Sequence, residues 1–302
     1  MFDYKTLKIL FMKELNLVSD ELDRFTDDIE DDNIKNLVYY FIKKKGNLLR
    51  PSLIILSYLS ASNGKEITTY LIKLAAAVEL IHSASLIHDD VIDLEVIRRE
   101  QKTINHIEGN KVAVLVGNIF FVQALKIINQ ISNNSRTDLI RPQDLTELDS
   151  LSENTLDLIR DMCTGEIIQS KIDSSNVDIE DYKRIINLKT GRLIEFACYY
   201  GALIGLNANT SNLNKEKETA IAFEGKKTKS IYLPSIYKKI GQIIGVIYQI
   251  NDDRTDKDFV VKNESEIESY IDELREEYKA LVTDLPNNKW TEMFIKIGSS
   301  IF

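Results

Sequence analysis

Apolar positions along the chain recur at helical spacing, and in some stretches they fill the helix all the way round. Leu71–Ile87 (LIKLAAAVELIHSASLI) is apolar on nearly every side, and a helix without a polar face is a buried helix. Val112–Ile131 and Ile240–Ile250 read the same way. Phe2–Leu17 reads as an amphipathic helix, and further helices are expected at Asn33–Lys45 closed by Gly46, from Arg50-Pro51, over Leu151–Lys171, and from Asp178–Asp181 through the apolar LKTGRLIEFACYYGALIGL. Ser265–Val282 predicts a charged helix. Between these lie a solvated charge run or helix start at Asp27–Asp32 and turns at Ser62-Asn63-Gly64-Lys65 and at Ile107–Lys111 around Gly109. An exposed connection is expected over Ser132–Asp149 and a loop over Asn207–Lys217. Ala220–Lys239 is mixed and has no clear period.

Composition narrows the fold class. Only 4 Pro and 12 Gly punctuate 302 residues, 44% of them hydrophobic. Long periodic runs with few turn formers predict an all-α protein rather than a sandwich or barrel. No Gly-rich loop follows a strand, which speaks against a nucleotide-binding α/β fold. Apolar helices continue on both sides of Ser132–Asp149, so the reading is one domain over 1–302. Cys163 and Cys198 lie in helical patterns, form no metal pair, and fit a reducing compartment. With no signal peptide read at Met1–Leu17, the expected location is the cytoplasm. Val112–Leu125 is read as too short to span a bilayer, so no transmembrane segment is expected.

Two of the apolar helices run into the same acidic pattern. Leu71–Ile87 leads to Asp89, Asp90 and Asp93; Ile240–Ile250 leads to Asp252, Asp253 and Asp256. Each reads D-D-x-x-D, and residues three and four apart share a helix face. Three carboxylates at the end of a buried helix are costly unless something pairs them. A hard divalent cation held by oxygen, Mg²⁺ above all, meets that need and leaves positions for phosphate oxygens. Two such ends suggest two clusters facing each other across a cavity, with metal ions and a diphosphate between them.

The net charge of −9 disfavours nucleic acid as a partner. It also constrains an anionic substrate. Like charges about 4 Å apart repel by roughly 4 kcal/mol at an effective dielectric near 20, so bridging cations and nearby Arg or Lys are required. Arg98 and Arg99 follow the first triplet and suit a phosphate clamp, because guanidinium forks match phosphate oxygens. Lys189, in Lys189-Thr190-Gly191, sits inside an apolar stretch and must pair or reach outward. His82 lies two turns before Asp89 on one helix, His88 reads as structural, and His106 has no clear role.

These residues carry a resemblance. ELIHSASLIHDDVIDLEVIRR resembles the first aspartate-rich region of the trans-type isoprenyl diphosphate synthases, the polyprenyl synthetase family, with geranylgeranyl and longer-chain synthases as the pattern. Gly46–Pro51, Thr164–Gln169 (TGEIIQ), Lys189-Thr190-Gly191 and Tyr248–Asp253 (YQINDD) are similar to that family's further motifs, in order and in rough spacing. The resemblance covers most of the chain and implies an isoprenoid-synthase-type fold, a single-domain antiparallel helix bundle around a central cavity, together with a homodimer and head-to-tail prenyl transfer. An allylic diphosphate loses its diphosphate, isopentenyl diphosphate attacks the cation, and a proton leaves. It implies three Mg²⁺ ions, with Asp89, Asp93 and Asp252 as direct ligands and Asp90, Asp253 and Asp256 supporting or binding through water. Arg98, Lys189, Thr190 and Gln249 would hold the leaving diphosphate or steady the cation; Arg50, His82 and Arg99 would hold isopentenyl diphosphate.

Chain length follows from helix geometry together with the resemblance. Ser85, Ala84 and Ile81 precede Asp89 by four, five and eight residues, on about the same face and one to two turns of ~5.4 Å away. Small Ala84 and Ser85 leave that face open, which implies products of C20 or longer; Phe120 and Phe121 are candidates to close it lower down. The chain departs from the family pattern in places. Asn47 stands where a lysine is usual, with Lys45 the candidate to reach the same phosphate. Asn118 stands where Gly-Asp is common. Lys257 and Lys262 are the nearest substitutes for a usual Gly-Lys pair, and the C-terminal region is short. Two other readings are open: a non-catalytic or regulatory subunit of a heteromeric synthase, which two complete acidic triplets argue against, and a terpene cyclase, which Arg50 and Arg98-Arg99 argue against.

Overall fold

The computed structural model describes residues 4–138, 150–173, 176–210, 233–256 and 264–302. Within them the chain is all-α apart from one short hairpin. The helices in chain order are α1 (Tyr4–Leu10), α2 (Met12–Arg24), α3 (Asp32–Lys43), α4 (Leu49–Ser62), α5 (Thr69–Ile92), α6 (Ile104–Glu108) and α7 (Asn110–Asp138), then α8 (Leu151–Gln169), α9 (Ile179–Ile186), α10 (Arg192–Thr210), α11 (Leu233–Asp256), α12 (Glu264–Thr283) and α13 (Thr291–Ile301). The hairpin pairs β1 (Ile97–Arg98) with β2 (Gln101–Lys102), antiparallel. Contacts gather the chain into two compact units, Tyr4–Ser52 with Ile67–Leu156, and Leu53–Glu66 with Asp157–Phe302. Neither is continuous in sequence.

In the first unit α5 is the core. Thr68 caps it, its hydroxyl accepting from the Leu71 N–H at 3.2 Å. Leu74 through Ile81 are buried on every side of the helix, and α5 packs on α7, α2 and α6. Each Leu or Ile taken fully out of water there contributes about 1.5–3 kcal/mol. Both α5 and Asn110–Asn133 of α7 are long and apolar enough to cross a membrane, with 67% and 39% of their apolar windows buried. The reading of Val112–Leu125 as too short is thus corrected: that run is the first half of a longer helix. The burial of α5 marks it as a core element, whereas α7 leaves Leu115 and Val122 exposed, 61% and 65%.

In the second unit α10 and α11 form the largest contact, and a π-helical turn, Asn187–Gly191, packs against both. Asp178 caps α9, its Oδ1 accepting from the Glu180 N–H at 3.0 Å. α12 packs on α11 and α13.

Several elements differ from the sequence expectation. Phe2–Leu17 is not one helix. Phe11 leaves helical geometry (φ −108°, ψ 23°) with its ring buried, and α2 then runs on to Arg24. Ser132–Asp138 is helical rather than an open connection, and Ser132 meets Ser152, Oγ to Oγ, at 3.0 Å; residues 139–149 lie outside the described residues. Asn207–Thr210 continues α10, and the remainder of the expected loop and of Ala220–Lys239 before Leu233 lies outside the described residues, as do Lys257 and Lys262. The hairpin, α6, the π turn and α13 had no counterpart in the periodicity.

Candidate active site

The first acidic triplet ends α5. Asp90 is buried, 2% exposed, and its Oδ1 accepts from Arg98 Nε. Asn105 donates to the Asp90 carbonyl at 2.9 Å. Burial pushes the Asp90 carboxyl up from its ordinary value, and the Arg98 hydrogen bond and charge oppose that. Asp89 is half-buried, and Asp93, the C-cap of α5, is exposed. The middle carboxylate is therefore the fixed one, and the flanking pair, one helical turn apart, faces outward.

Arg98 and Arg99 reach this site because the chain turns back sharply. Arg99 and Glu100 sit at φ 52° and 62° between β1 and β2, the pattern of a type I′ turn. Neither residue is Gly or Asn, so the turn carries strain that its neighbours must hold. Arg99 Nη1 donates to the Lys44 carbonyl at 3.0 Å, Lys44 Nζ donates to the Arg99 carbonyl at 3.3 Å, and Tyr40 OH donates to the Lys102 carbonyl at 2.9 Å. Gly46 faces the Arg99 guanidinium so closely that a Cβ there would stand 2.5 Å from Nη2, so a side chain at this position would push the guanidinium aside.

Behind these arginines lie His82 and Glu79, both on α5. Burial lowers the His82 imidazole well below its ordinary value, and Arg50, Arg99 and Arg98 lower it further. His82 is thus neutral, a hydrogen-bonding group among cations. Burial raises Glu79, and Arg50 and Arg99 oppose the rise. Its Oε2 has no hydrogen-bond partner among the described residues. The structure so brings together Arg50, His82, Arg98 and Arg99. Lys45 is turned elsewhere, its Nζ on Asp23 Oδ2 at 3.1 Å and on the Ser19 carbonyl at 3.3 Å. Lys44 and Lys102 instead line a cleft with Arg98, Arg99 and Asp90.

The second triplet ends α11. Asp253 is buried, 4% exposed. Its Oδ1 accepts from Gln249 Nε2 at 2.7 Å and its Oδ2 from Tyr182 OH at 2.8 Å. Thr190 OH donates to Gln249 Oε1 at 2.5 Å, which fixes the Gln249 amide so that its N–H points to Asp253. The Tyr182 phenol is raised above its ordinary value, first by burial and then by the Asp253 charge, and stays protonated as the donor. Asp252 is exposed. Asp256 is helical, and its side chain lies outside the described residues.

Lys189 and Thr190 stand on the π turn. A π bulge widens one turn of helix and re-aims the side chains on it. Lys189 Nζ pairs with Glu166 Oε2 at 2.7 Å and reaches Gln169 Oε1 at 3.2 Å. Gly165 permits this, since a Cβ there would lie 3.0 Å from the Lys189 backbone nitrogen. The lysine inside an apolar run is thus paired from TGEIIQ, while Tyr182 and Glu79 were not anticipated as site residues. Glu79 had a signal, a lone carboxylate in LAAAVELI; Tyr182, 71 residues from Asp253, had none.

On the face preceding Asp89, Ile81 and Ala84 are buried and Ser85 is half-buried, its hydroxyl donating to the His82 carbonyl at 2.8 Å. Phe120 is fully buried, edge-on to Phe25 and Phe41 at 5.2 and 5.6 Å. His88 packs on Phe121 and approaches the Val114 carbonyl at 3.2 Å, a structural placement.

The donor sets suit a hard divalent cation: the triplets offer carboxylate oxygens only, with Asp93 and Asp252 exposed and Asp89 half-buried. Among the described residues no three carboxylate, imidazole or thiolate groups converge on one point.

The family model described as Polyprenyl synthetase matches residues 31–295. Among curated proteins, a short chain isoprenyl diphosphate synthase of Methanocaldococcus jannaschii is 27% identical over 82% of this chain and 64% of its own length. A geranylfarnesyl diphosphate synthase of Aeropyrum pernix is 32% identical over 58% of this chain and 53% of its own length. The matched stretch is thus under two thirds of either relative. Among solved structures, a geranylgeranyl pyrophosphate synthase from Lactobacillus brevis superposes with a TM-score of 0.73 at 20% identity, covering 99% of both chains. That likeness is one of fold.

Proposed function

The chain belongs to the polyprenyl synthetase family, and from that premise we propose that it is a Mg²⁺-dependent prenyltransferase. It condenses isopentenyl diphosphate with an allylic diphosphate, head to tail, to a trans-polyprenyl diphosphate of C20 or longer. The observation that carries this reading is the shared build of the two D-D-x-x-D helix ends. Each has its middle aspartate buried and hydrogen-bonded and its first aspartate turned outward. A merely solvated acidic helix end has no need to fix its central carboxylate.

Asp89, Asp93 and Asp252 would hold Mg²⁺, with Asp256 supporting, and the ions supply positive charge for the departing diphosphate. Asp90 and Asp253 hold the helix ends that present those ligands. Arg98 and Lys189 add cations for the leaving group, each kept in place by a carboxylate, Asp90 and Glu166. Thr190 and Gln249, hydrogen-bonded to each other, form a neutral polar edge that would steady the cation. Arg50, Arg99 and neutral His82 bind isopentenyl diphosphate. Ala84 and Ser85 leave room for a long tail, with Ile81 a turn further on. The exposed apolar Leu115 and Val122 of α7 favour a homodimer.

One observation favours a second reading, a regulatory subunit of a heteromeric synthase. Asn47 is exposed and Lys45 is engaged with Asp23, which leaves the early motif short of its phosphate-facing lysine. A single assay separates the two. Purified protein is incubated with Mg²⁺, labelled isopentenyl diphosphate and an allylic diphosphate, and the products are chromatographed. Elongation to C20 or beyond supports the first reading; a clean C15 product rejects the chain length; no turnover rejects the enzyme.

A further inference from the structure

The π turn Asn187–Gly191 is tied to α8 on one side and to α11 on the other. Toward α8, Lys189 Nζ pairs with Glu166 and reaches Gln169. Toward α11, the contacts fall along one stripe. Gln242 Nε2 donates to Asn187 Oδ1 at 2.8 Å, and the Thr190 hydroxyl donates to Gln249 Oε1. Between them the backbones approach closely: a Cβ on Gly245 would stand 2.9 Å from the Gly191 Cα. Gln242, Gly245 and Gln249 are three and four residues apart and share a face of α11. Asp253, the buried middle member of the second triplet, is four residues further along that face. The turn and the triplet are thus mounted along one edge of one helix.

The Arg192 N–H reaches back five residues to the Asn187 carbonyl, the bond that makes this turn wider than an α turn. No proline stands in NLKTG to force the bulge, so contacts with its neighbours hold it. A regular α-helix uses one residue fewer here, and losing the bulge would rotate the side chains on one side of it by about 100° against those on the other. Asn187 opens the turn, and its Oδ1 lies 2.8 Å from where a Cβ on Gly191 would stand. Its amide therefore spans the turn from first residue to last, and Gln242 holds that amide.

We propose that Asn187 and Gln242 are positioning residues: their hydrogen bond keeps the π turn wide and thereby fixes where the Lys189 ammonium stands relative to the second aspartate triplet. Neither belongs to the acidic triplets or to Lys189-Thr190-Gly191. Both are half-buried neutral amides, so they add no charge and act on a diphosphate only through Lys189. The role given to Lys189 rests on the prenyl-transfer reading; the fixing of its position by the amide pair does not. Thr190 and Tyr182 hold the same surface to α11 at Gln249 and Asp253, so cutting the amide pair loosens the turn and leaves the helices packed.

The test is a double-mutant cycle on the full chain, titrated with inorganic pyrophosphate in the presence of Mg²⁺ and read by calorimetry. In the wild-type background Lys189→Ala weakens binding about tenfold. Gln242→Met and Asn187→Ala cut the same hydrogen bond from opposite ends, and each weakens binding about fivefold. In either background Lys189→Ala then costs less than about twofold more, because the ammonium has already left its place. In turnover, Gln242→Met raises the KM for the allylic diphosphate more than that for isopentenyl diphosphate. Circular dichroism checks the fold, and two variants on different helices keep the test standing should one prove unstable. A pair with a structural role alone would lower stability and leave the full effect of Lys189→Ala in both backgrounds. That result overturns the proposal and leaves the prenyl-transfer reading intact. The proposal also falls if Lys189→Ala binds pyrophosphate as well as the wild type does. A wild-type chain that does not bind pyrophosphate with Mg²⁺ removes both the proposal and the prenyl-transfer reading.

Discussion

At the end of α5 the middle aspartate is held by a charge: Arg98, delivered by a hairpin eight residues further on. At the end of α11 the middle aspartate is held by neutral donors, Gln249 one turn back on its own helix and Tyr182 from α9. The spacing of carboxylates is the same, but the electrostatics are not. Arg98 compensates Asp90, so the first triplet presents the outward pair Asp89 and Asp93 with little charge beneath them. Gln249 and Tyr182 satisfy the lone pairs of Asp253 and leave its charge in place. The difference teaches that one sequence pattern can be stabilised by two mechanisms with different consequences. A charge pair costs desolvation and breaks badly when one partner is lost, whereas neutral hydrogen bonds break modestly and preserve the field.

The largest effect should come from removing the outward carboxylates, because on this point the two ends are expected to behave alike. Asp89→Ala and Asp252→Ala are each expected to lower kcat on the order of 10³-fold, with thermal stability nearly unchanged, measured by product formation and by calorimetry. Retained turnover in either variant would break the equivalence of the two ends.

The middle positions should then separate them. Asp90→Asn strands Arg98 and is expected to cost about 2–3 kcal/mol, below the usual range for a fully buried pair because Arg98 keeps 30% exposure. Asp253→Asn leaves only neutral groups and is expected to cost about 1 kcal/mol. Urea unfolding at pH 7 measures both, and equal costs would remove the distinction drawn here. Tyr182→Phe sharpens it on the α11 side. It deletes one donor to Asp253, with an expected loss of about 1 kcal/mol and a smaller decrease in turnover than Asp252→Ala.

His82 gives a pH test confined to the α5 side. Its folded-state pKa is depressed below 6.5 by burial and three arginines. The unfolded chain therefore binds the proton first, and stability is expected to fall as pH drops below about 6.5 and to be fully present above it. His82→Gln should flatten that slope in denaturant titrations across pH 5 to 7. The smallest effect is at the strained turn. Glu100→Gly relieves a left-handed side-chain residue and is expected to stabilise by about 0.5–1 kcal/mol, read as a raised urea midpoint. A loss of stability there would mean that the turn is not strained.

Much of this was legible in the chain. Leu71–Ile87 and Ile240–Ile250 announced buried helices because no polar face remained to meet water. Both acidic triplets stood at the ends of those helices, where helical spacing alone put their first and last members on one face. Lys189 in its apolar setting asked for a partner, and Glu166 supplies it. Other features were not legible. The hairpin of Ile97–Lys102 is two residues per strand with Arg-Glu at a turn that ordinarily takes Asn-Gly, so no turn signal marked it. The π turn at Asn187–Gly191 sits in a sequence with ordinary helical period. Lys45 and Lys44 are neighbours with the same chemistry, and nothing in KKKGN says which one faces Asp23 and which one the cleft.

The sequence by itself determined the all-α class, the helices of the core, and the two carboxylate triplets, because burial periodicity and spacing along one helix are local properties. Only the tertiary structure decided which aspartate in each triplet is held and by what. It also decided which of the crowded lysines pairs with Asp23 and which lines the cleft by the hairpin. Those outcomes depend on groups up to 71 residues apart, Tyr182 and Asp253 among them, meeting in a low-dielectric interior where a single hydrogen bond or charge settles a side chain's position, and no pattern along the chain encodes that meeting.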